Sequence, residues 1–201
     1  MNTARLILLL ALLGATPARA GHGLMNSFSD IKWLATPAVT PDVWYYPAIT
    51  LKESAELRLA RSPAAKAKLC SAGLREKLAE ALAMAKASNP QASELALGRY
   101  LHYLDCLMSL VTAATPAEPP LVFASALLEQ RYMISVEYPD LPDDGRSPLE
   151  RWMQDSAQHY DRLRVRLPHA QREALFFKEE EVRWSWEMGQ REVPDTPPPP
   201  L

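Results

Sequence analysis

The chain has 201 residues with 22 basic and 24 acidic side chains, for a formal charge of -2, and an apolar fraction of 48%. So mild an acidic balance gives no basic footprint for nucleic acid or for an anionic membrane face, and the apolar content excludes wholesale disorder. Seven glycines against eighteen prolines, with Ala, Leu, Glu and Arg abundant and β-branched residues sparse, argue against strands and for helices.

In chain order, Arg5 is followed by an apolar run from Leu6 to Leu13 and then by Pro17 and the small pair Ala18-x-Ala20. This is the pattern of a secretory signal peptide over residues 1–20, cleaved after Ala20. The run is about half the roughly 20 residues a membrane span needs, so no integral span is expected in the mature chain. Loss of Arg5 and Arg19 with the leader leaves 20 basic against 24 acidic residues, a charge of -4. The expected location is periplasmic or secreted.

Residues 21–189 are expected to form a single all-α domain, a helical bundle of about five main helices preceded by an irregular aromatic segment at 21–50. Prolines leave helix-length gaps at 64–89, 91–115, 121–138, 149–167 and 169–193. Since Pro suits the first turn of a helix and breaks its interior, these gaps are the predicted helices. The aromatic segment holds Trp33, Trp44, Tyr45 and Tyr46, read as a wrap that plugs the bundle. The alternative is a ligand- or partner-binding surface, either in this segment at Trp33, Trp44 and Tyr45 or on the Trp184/Trp186 helix. A short helix at about 51–61 follows, and Ser62-Pro63 reads as an N-cap with Pro in the first helical position.

The first long helix carries Ala67, Cys70, Leu74, Leu78, Ala81 and Ala85 on one stripe; the second carries Leu97, Tyr100, Leu104, Leu107 and Val111. Leu95, Tyr103, Cys106 and Leu110 lie on the far side of that second helix, which is therefore expected to be covered on most faces. Thr115 to Pro120 reads as a stiff linker, and a helix at about 120–138 follows. Ser147-Pro148-x-Glu150 reads as a capping box that starts the next helix, with Leu149, Trp152, Met153, Tyr160 and Leu163 inward. The last helix, about 169–189, places Leu175, Val182 and Trp186 on one face and Phe177, Trp184 and Met188 near the other. Residues 190–201 form a Pro-rich tail, read as unpacked polyproline II.

Cys70 and Cys106 are the only cysteines. A helical hairpin turning at Asn89-Pro90 puts Cys70 opposite residue 109, so Cys106 is about 4.5 Å away along the axis at 1.5 Å per residue. That is near the limit of disulfide reach, and an oxidising compartment favours the bond. Two separate buried thiols remain the alternative, because Cys106 faces away from the main stripe of its helix.

Catalytic patterns are weak. No His shares a metal-ligand spacing with another His or Cys, so no cofactor is expected. His102 and Asp105 sit one turn apart and read as surface residues. Gly21-His22 at a cleaved terminus is a faint copper signal. Glu179, Glu180 and Glu181 point three ways from one helix and read as a solvated face. No Gly-rich phosphate loop or nucleophile elbow is present, and no enzymatic activity is expected.

Two stretches carry resemblances. Pro41-Asp42-x-x-Tyr45, Glu53/Glu56, Ser62-Pro63-x-x-Lys66, Leu74-x-x-Lys77-Leu78-x-Glu80-Ala81 and Tyr100-Leu101 resemble a bacterial extracytoplasmic helical family known only as a domain of unknown function. Lys77 stands where that family has Arg. The resemblance implies a helical fold outside the cytoplasm and assigns no activity. Tyr160-x-x-Leu163-x-x-x-Leu167-Pro168-x-x-Gln171-Arg172-Glu173-Ala174-Leu175 is similar to the helical hairpin of periplasmic lysozyme-inhibitor proteins, without that family's cysteines. The expected function is a non-enzymatic interaction with a protein partner in the cell envelope. A binding module or lysozyme-inhibitor-like protein using exposed aromatics is the rival.

Overall fold

The computed structural model describes residues 27–112 and 118–192. The leader, the copper signal at Gly21-His22, linker residues 115–117 and the tail beyond residue 192 lie outside the described residues, whereas residues 118–120 of the expected linker and 190–192 of the expected tail are helical. Six α-helices and no strand occur among those described: α1 (Tyr46–Leu59), α2 (Pro63–Lys86), α3 (Pro90–Thr112), α4 (Glu118–Glu137), α5 (Asp143–Arg164) and α6 (His169–Glu192). A single 3-10 turn at Tyr138–Asp140 joins α4 to α5. The fold is an all-α bundle. None of these helices is long and apolar enough to cross a membrane.

Helices α2 and α3 form the tightest pair, α5 lies against both, and α4 packs on α5 and α6. Leu78, Leu104, Ile134, Leu149 and Leu163, drawn from α2, α3, α4 and α5, are all fully buried in one core. Tyr100 sits at its centre, edge-on to the Trp152 ring at 5.4 Å, and its hydroxyl donates to Gln130 Oε1 at 2.6 Å. One side chain thus joins α3, α4 and α5.

The α2 start follows the sequence pattern: Ser62 Oγ accepts from the Ala65 amide and Pro63 occupies the first turn. Its end is a Schellman turn. The Asn89 amide bonds the Met84 carbonyl, the Ser88 amide bonds the Ala85 carbonyl, and Ser88 takes a left-handed φ of 55°. Asn89 Oδ1 then accepts from the Ala92 amide and starts α3. The hairpin is therefore centred on Ser88, one to two residues earlier than a turn at Asn89-Pro90. That register sets Cys70 opposite Cys106 and Gly73 opposite Tyr103. Cys70 and Cys106 are joined by a disulfide with Cα atoms 6.4 Å apart. At Gly73 a Cβ would meet the Tyr103 ring at 2.7 Å, so glycine permits the close approach that the bond shares.

Two helix starts depart from expectation. Helix α1 begins at Tyr46, five residues early, because Pro47 falls in its first turn, where its missing N–H costs nothing. Ser147-Pro148-x-Glu150 is not a capping box. Helix α5 already starts at Asp143, Pro148 lies inside it, and Glu150 accepts from the Tyr138 hydroxyl. Asp143 and Asp144 suit the positive end of the helix dipole, and Gly145 presses its backbone on α2, where a Cβ would sit 2.1 Å from the Ala85 carbonyl oxygen. The far side of α3 is mostly covered, since Tyr103 is buried and Cys106 partly so, but Leu95 is exposed.

Candidate functional site

Three features of the bundle hold chemistry. The first is an ionic cluster where α1 docks on the α2–α3 hairpin. Lys77 is fully buried, and its ammonium meets Glu80 Oε1 at 2.8 Å and Glu53 Oε1 at 2.6 Å. Glu80 Oε2 accepts from the Tyr46 hydroxyl at 2.6 Å, while Glu53 Oε2 accepts from the Tyr103 hydroxyl at 3.1 Å and pairs with Arg99 at 3.4 Å. Burial, ahead of any charge effect, lifts the Glu80 carboxyl above its ordinary range, against the lowering pull of Lys77 and Tyr46. Burial also pushes Tyr103 up to about 12, reinforced by Glu53. The carboxylates are occupied in joining α1, α2 and α3, and the cluster works as a clasp. Apart from Tyr46, α1 has no fully buried residue and Leu57 packs only partly on the core, so polar bonds carry much of its attachment.

The second feature is the distribution of aromatic residues. Residues 27–45 cross the bundle as a strap. The Ser27 amide donates to Glu181 Oε2, Phe28 is buried and stacks on Tyr132 at 4.3 Å, and Arg75 holds the Lys32 carbonyl at 2.6 Å. Phe28 and Tyr46 plug the bundle. The other aromatics of the segment stay outside: Trp44 is 90% exposed, Trp33 49% and Tyr45 41%. Trp44 and Tyr45 touch edge to face, but no ring contact links them to Trp33 or Trp184 among the described residues. Trp184 lies on α6, on the same side of the helix as Phe177, whose ring meets that of Phe176. Trp33, Trp44, Tyr45 and Trp184 are all exposed, as a surface role requires.

The third feature is a groove of about 310 Å³ between α4, α5 and α6, lined by Arg131, Glu150, Met153, Gln154, Trp186 and Gln190 among others. Arg131 Nε is buried without a hydrogen-bond partner among the described residues. Burial lowers the Arg131 pKa, opposed by the charges of Asp161 and Glu179. Sequence reasoning missed this residue. Its signal is position: Arg131 falls three and four residues after the buried Leu128 and Leu127, and three before the buried Ile134.

The acidic run behaves differently from a solvated face. Glu179 accepts from Tyr160 and from Arg164 Nε at 2.9 Å, Glu180 pairs with Arg183, and Glu181 anchors the strap. The three directions are those expected of consecutive helical residues, but each meets a partner. His102 is exposed, and Asp105 lies 3.8 Å from His159 Nε2 on α5. Among the described residues no group of three or more His, Cys, Asp or Glu is placed to hold a metal.

Residues 38–134 match a domain of unknown function, DUF5667. The resemblance to an uncharacterised family read between Pro41 and Leu101 holds, over a longer stretch. The match takes in the whole ionic clasp, from Tyr46 to Tyr103, and reaches into α4 as far as Ile134. It ends before residues 160–175, where the similarity to lysozyme inhibitors lies; those residues form the α5–α6 hairpin. No curated protein and no solved structure matches the chain.

Proposed function

We propose that this is an exported, non-catalytic interaction protein of the cell envelope, and that the aromatic face of α6 meets a protein partner. The observation that carries this reading is the exposure of Phe177 (73%) and Trp184 (58%), seven residues apart and so on one side of the helix, beside Phe176. Large apolar side chains grouped on a helix face are the usual anchors of an interface. Export is supported by the signal-peptide pattern and by the Cys70–Cys106 bond, which persists in oxidising compartments. A non-catalytic role is supported by the employment of the buried carboxylates Glu53 and Glu80 in ion pairs that hold helices together.

Photo-crosslinking tests the partner face. A photoreactive residue at Trp184 is expected to give a discrete adduct in envelope fractions, whereas one at the exposed Arg162 of α5 gives none. Equal adducts from both positions, or none from Trp184, would remove this assignment. Export is checked separately by mass: protein recovered from the envelope should begin at Gly21, and recovery with Met1 in the cytosol would contradict it.

A further inference from the structure

The groove between α4, α5 and α6 lies on a different side of α6 from the aromatic face. At 100° per residue, Trp186 and Gln190 project well away from Phe177 and Trp184. It contains an electrostatic oddity. Arg131 projects from the core-facing stripe of α4, yet its Nε is buried without a hydrogen-bond partner among the described residues. Lys77 shows how the same bundle treats a buried cation elsewhere, with two carboxylates in contact. The Arg131 side chain is partly buried, and a bound anion would give its guanidinium the partner that the bundle does not supply.

A carboxylate does line the same groove. Glu150 belongs to it, but its Oε1 is already engaged as acceptor of the Tyr138 hydroxyl. The groove therefore has a positive and a negative group that do not satisfy each other. Between and around them are two exposed amides, Gln154 and Gln190, and the Trp186 ring, which packs on Tyr138 at 4.6 Å. Asp161 and Glu179 are the further acidic groups in the field of Arg131, and Glu179 is already paired with Arg164.

We propose that this groove binds a small zwitterion of the amino-acid or short-peptide class. Its carboxylate pairs with Arg131, its ammonium faces Glu150, its backbone amide meets Gln154 or Gln190, and its aliphatic part rests on Trp186 and Met153. The volume of about 310 Å³ is at the lower end for ligand sites, which suits one or two amino-acid units and excludes a long chain segment.

The test is an NMR titration of the mature, disulfide-bonded protein labelled with nitrogen-15, following the Trp186 indole and the Gln154 and Gln190 side-chain amides. The probes are alanyl-alanine, its N-acetyl form and its C-terminal amide. Alanyl-alanine is expected to shift these signals saturably, and each capped probe to bind about tenfold more weakly, the scale of one charge-assisted hydrogen bond. Arg131→Gln should remove the preference for a free carboxylate while keeping the roughly tenfold preference for the free amine over the N-acetyl form, because Glu150 is untouched. Gln190→Glu, at an exposed position, is the second variant: it places a carboxylate at the rim and should weaken alanyl-alanine binding even if Arg131→Gln folds poorly. Trp184→Asp should change nothing here. The proposal fails if the groove signals stay unmoved at saturating probe, or if Arg131→Gln or Gln190→Glu binds as the parent does. It fails equally if the N-acetyl probe binds as tightly as the zwitterion, since the site would then be a plain anion site.

Discussion

The α1–α3 region and the α4–α6 region each set a cation on a core-facing stripe, fully buried in the first and partly buried in the second, and they treat it in opposite ways. Lys77 in α2 is enclosed by Glu80 and Glu53 and capped by the Tyr46 ring at 5.1 Å. Arg131 in α4 lines a groove with no such partner among the described residues. The first region is also closed locally, by a Schellman turn, a disulfide and a glycine contact within one hairpin. The second is assembled from side chains distant in sequence: Tyr160 with Glu179, Lys178 with Glu129, and Ser135 with Ser185. The difference separates two uses of buried charge. In the hairpin it fixes where α1 lies; in the second region it is left available.

The sharpest way to break that comparison is to remove the paired cation. Lys77→Met keeps the volume but leaves Glu80 in the interior without a cation, while Glu53 retains Arg99, and breaking a buried pair costs about 3–5 kcal/mol. Urea unfolding should show a loss of that size, with α1 amides exchanging fastest. A change below about 1 kcal/mol would mean that the clasp is not holding α1.

The next largest effect belongs to the disulfide. Cys70 and Cys106 are 36 residues apart, and closing a loop of that length is worth about 3–4 kcal/mol in the chain-entropy description. The double variant Cys70→Ala/Cys106→Ala should unfold earlier in urea by that amount, and reductant should lower the parent toward it. Identical midpoints for parent and variant without reductant would show that the bond contributes nothing. The groove in the second region should keep its shape in this variant, because no groove residue belongs to α2 or α3.

How much of this was legible in the sequence depends on whether the cause was local. Proline spacing and the stripe from Cys70 to Ala85 made the bundle and its hairpin readable, since both follow from the 3.6-residue period and from a ring that breaks helices. The α5 start was not readable. Ser147-Pro148-x-Glu150 satisfies every local rule for a helix start, yet the backbone contact of Gly145 with Ala85, a contact across 60 residues, helps set the true one. The cysteine register was displaced because the turn uses Ser88 in a left-handed conformation, a role more often given to glycine. Lys77 and Glu80 were visible only as letters of a family motif, and their burial explains what that motif does. Arg131 carried the one overlooked signal, a charge on an apolar stripe.

Two milder substitutions sharpen the contrast between the buried charges. Arg131→Met should leave stability within about 1 kcal/mol of the parent, on the stabilising side, because an unpaired cation is exchanged for an apolar side chain of similar length. A loss of 3 kcal/mol would place Arg131 in the same class as Lys77. Glu80→Gln tests the clasp through pH. The folded Glu80 carboxyl titrates above its ordinary value of 4.5, so between those two values the native state holds more protons than the unfolded chain. Its contribution to stability is complete below the ordinary value and is lost as pH rises through the raised one. The parent should therefore lose ground to Glu80→Gln as pH goes from 4 to 7. A difference that stays flat across that range would show that Glu80 is not shifted.

The smallest effect lies at the hairpin turn. Ser88 is exposed and holds a φ of 55°, where a side chain with Cβ costs about 1 kcal/mol and glycine costs nothing. Ser88→Gly relieves that strain but adds freedom to the unfolded chain, a penalty of about 0.4–1 kcal/mol. The net should be a gain of about 0.5 kcal/mol or less, seen as a higher urea midpoint with an unchanged slope. Ser88→Val, with a branched Cβ in the same conformation, should move the midpoint the other way. If glycine lowers the midpoint, the left-handed turn is not the conformation that closes the hairpin. The register that brings Cys70 to Cys106 and Gly73 to Tyr103 would then need another cause.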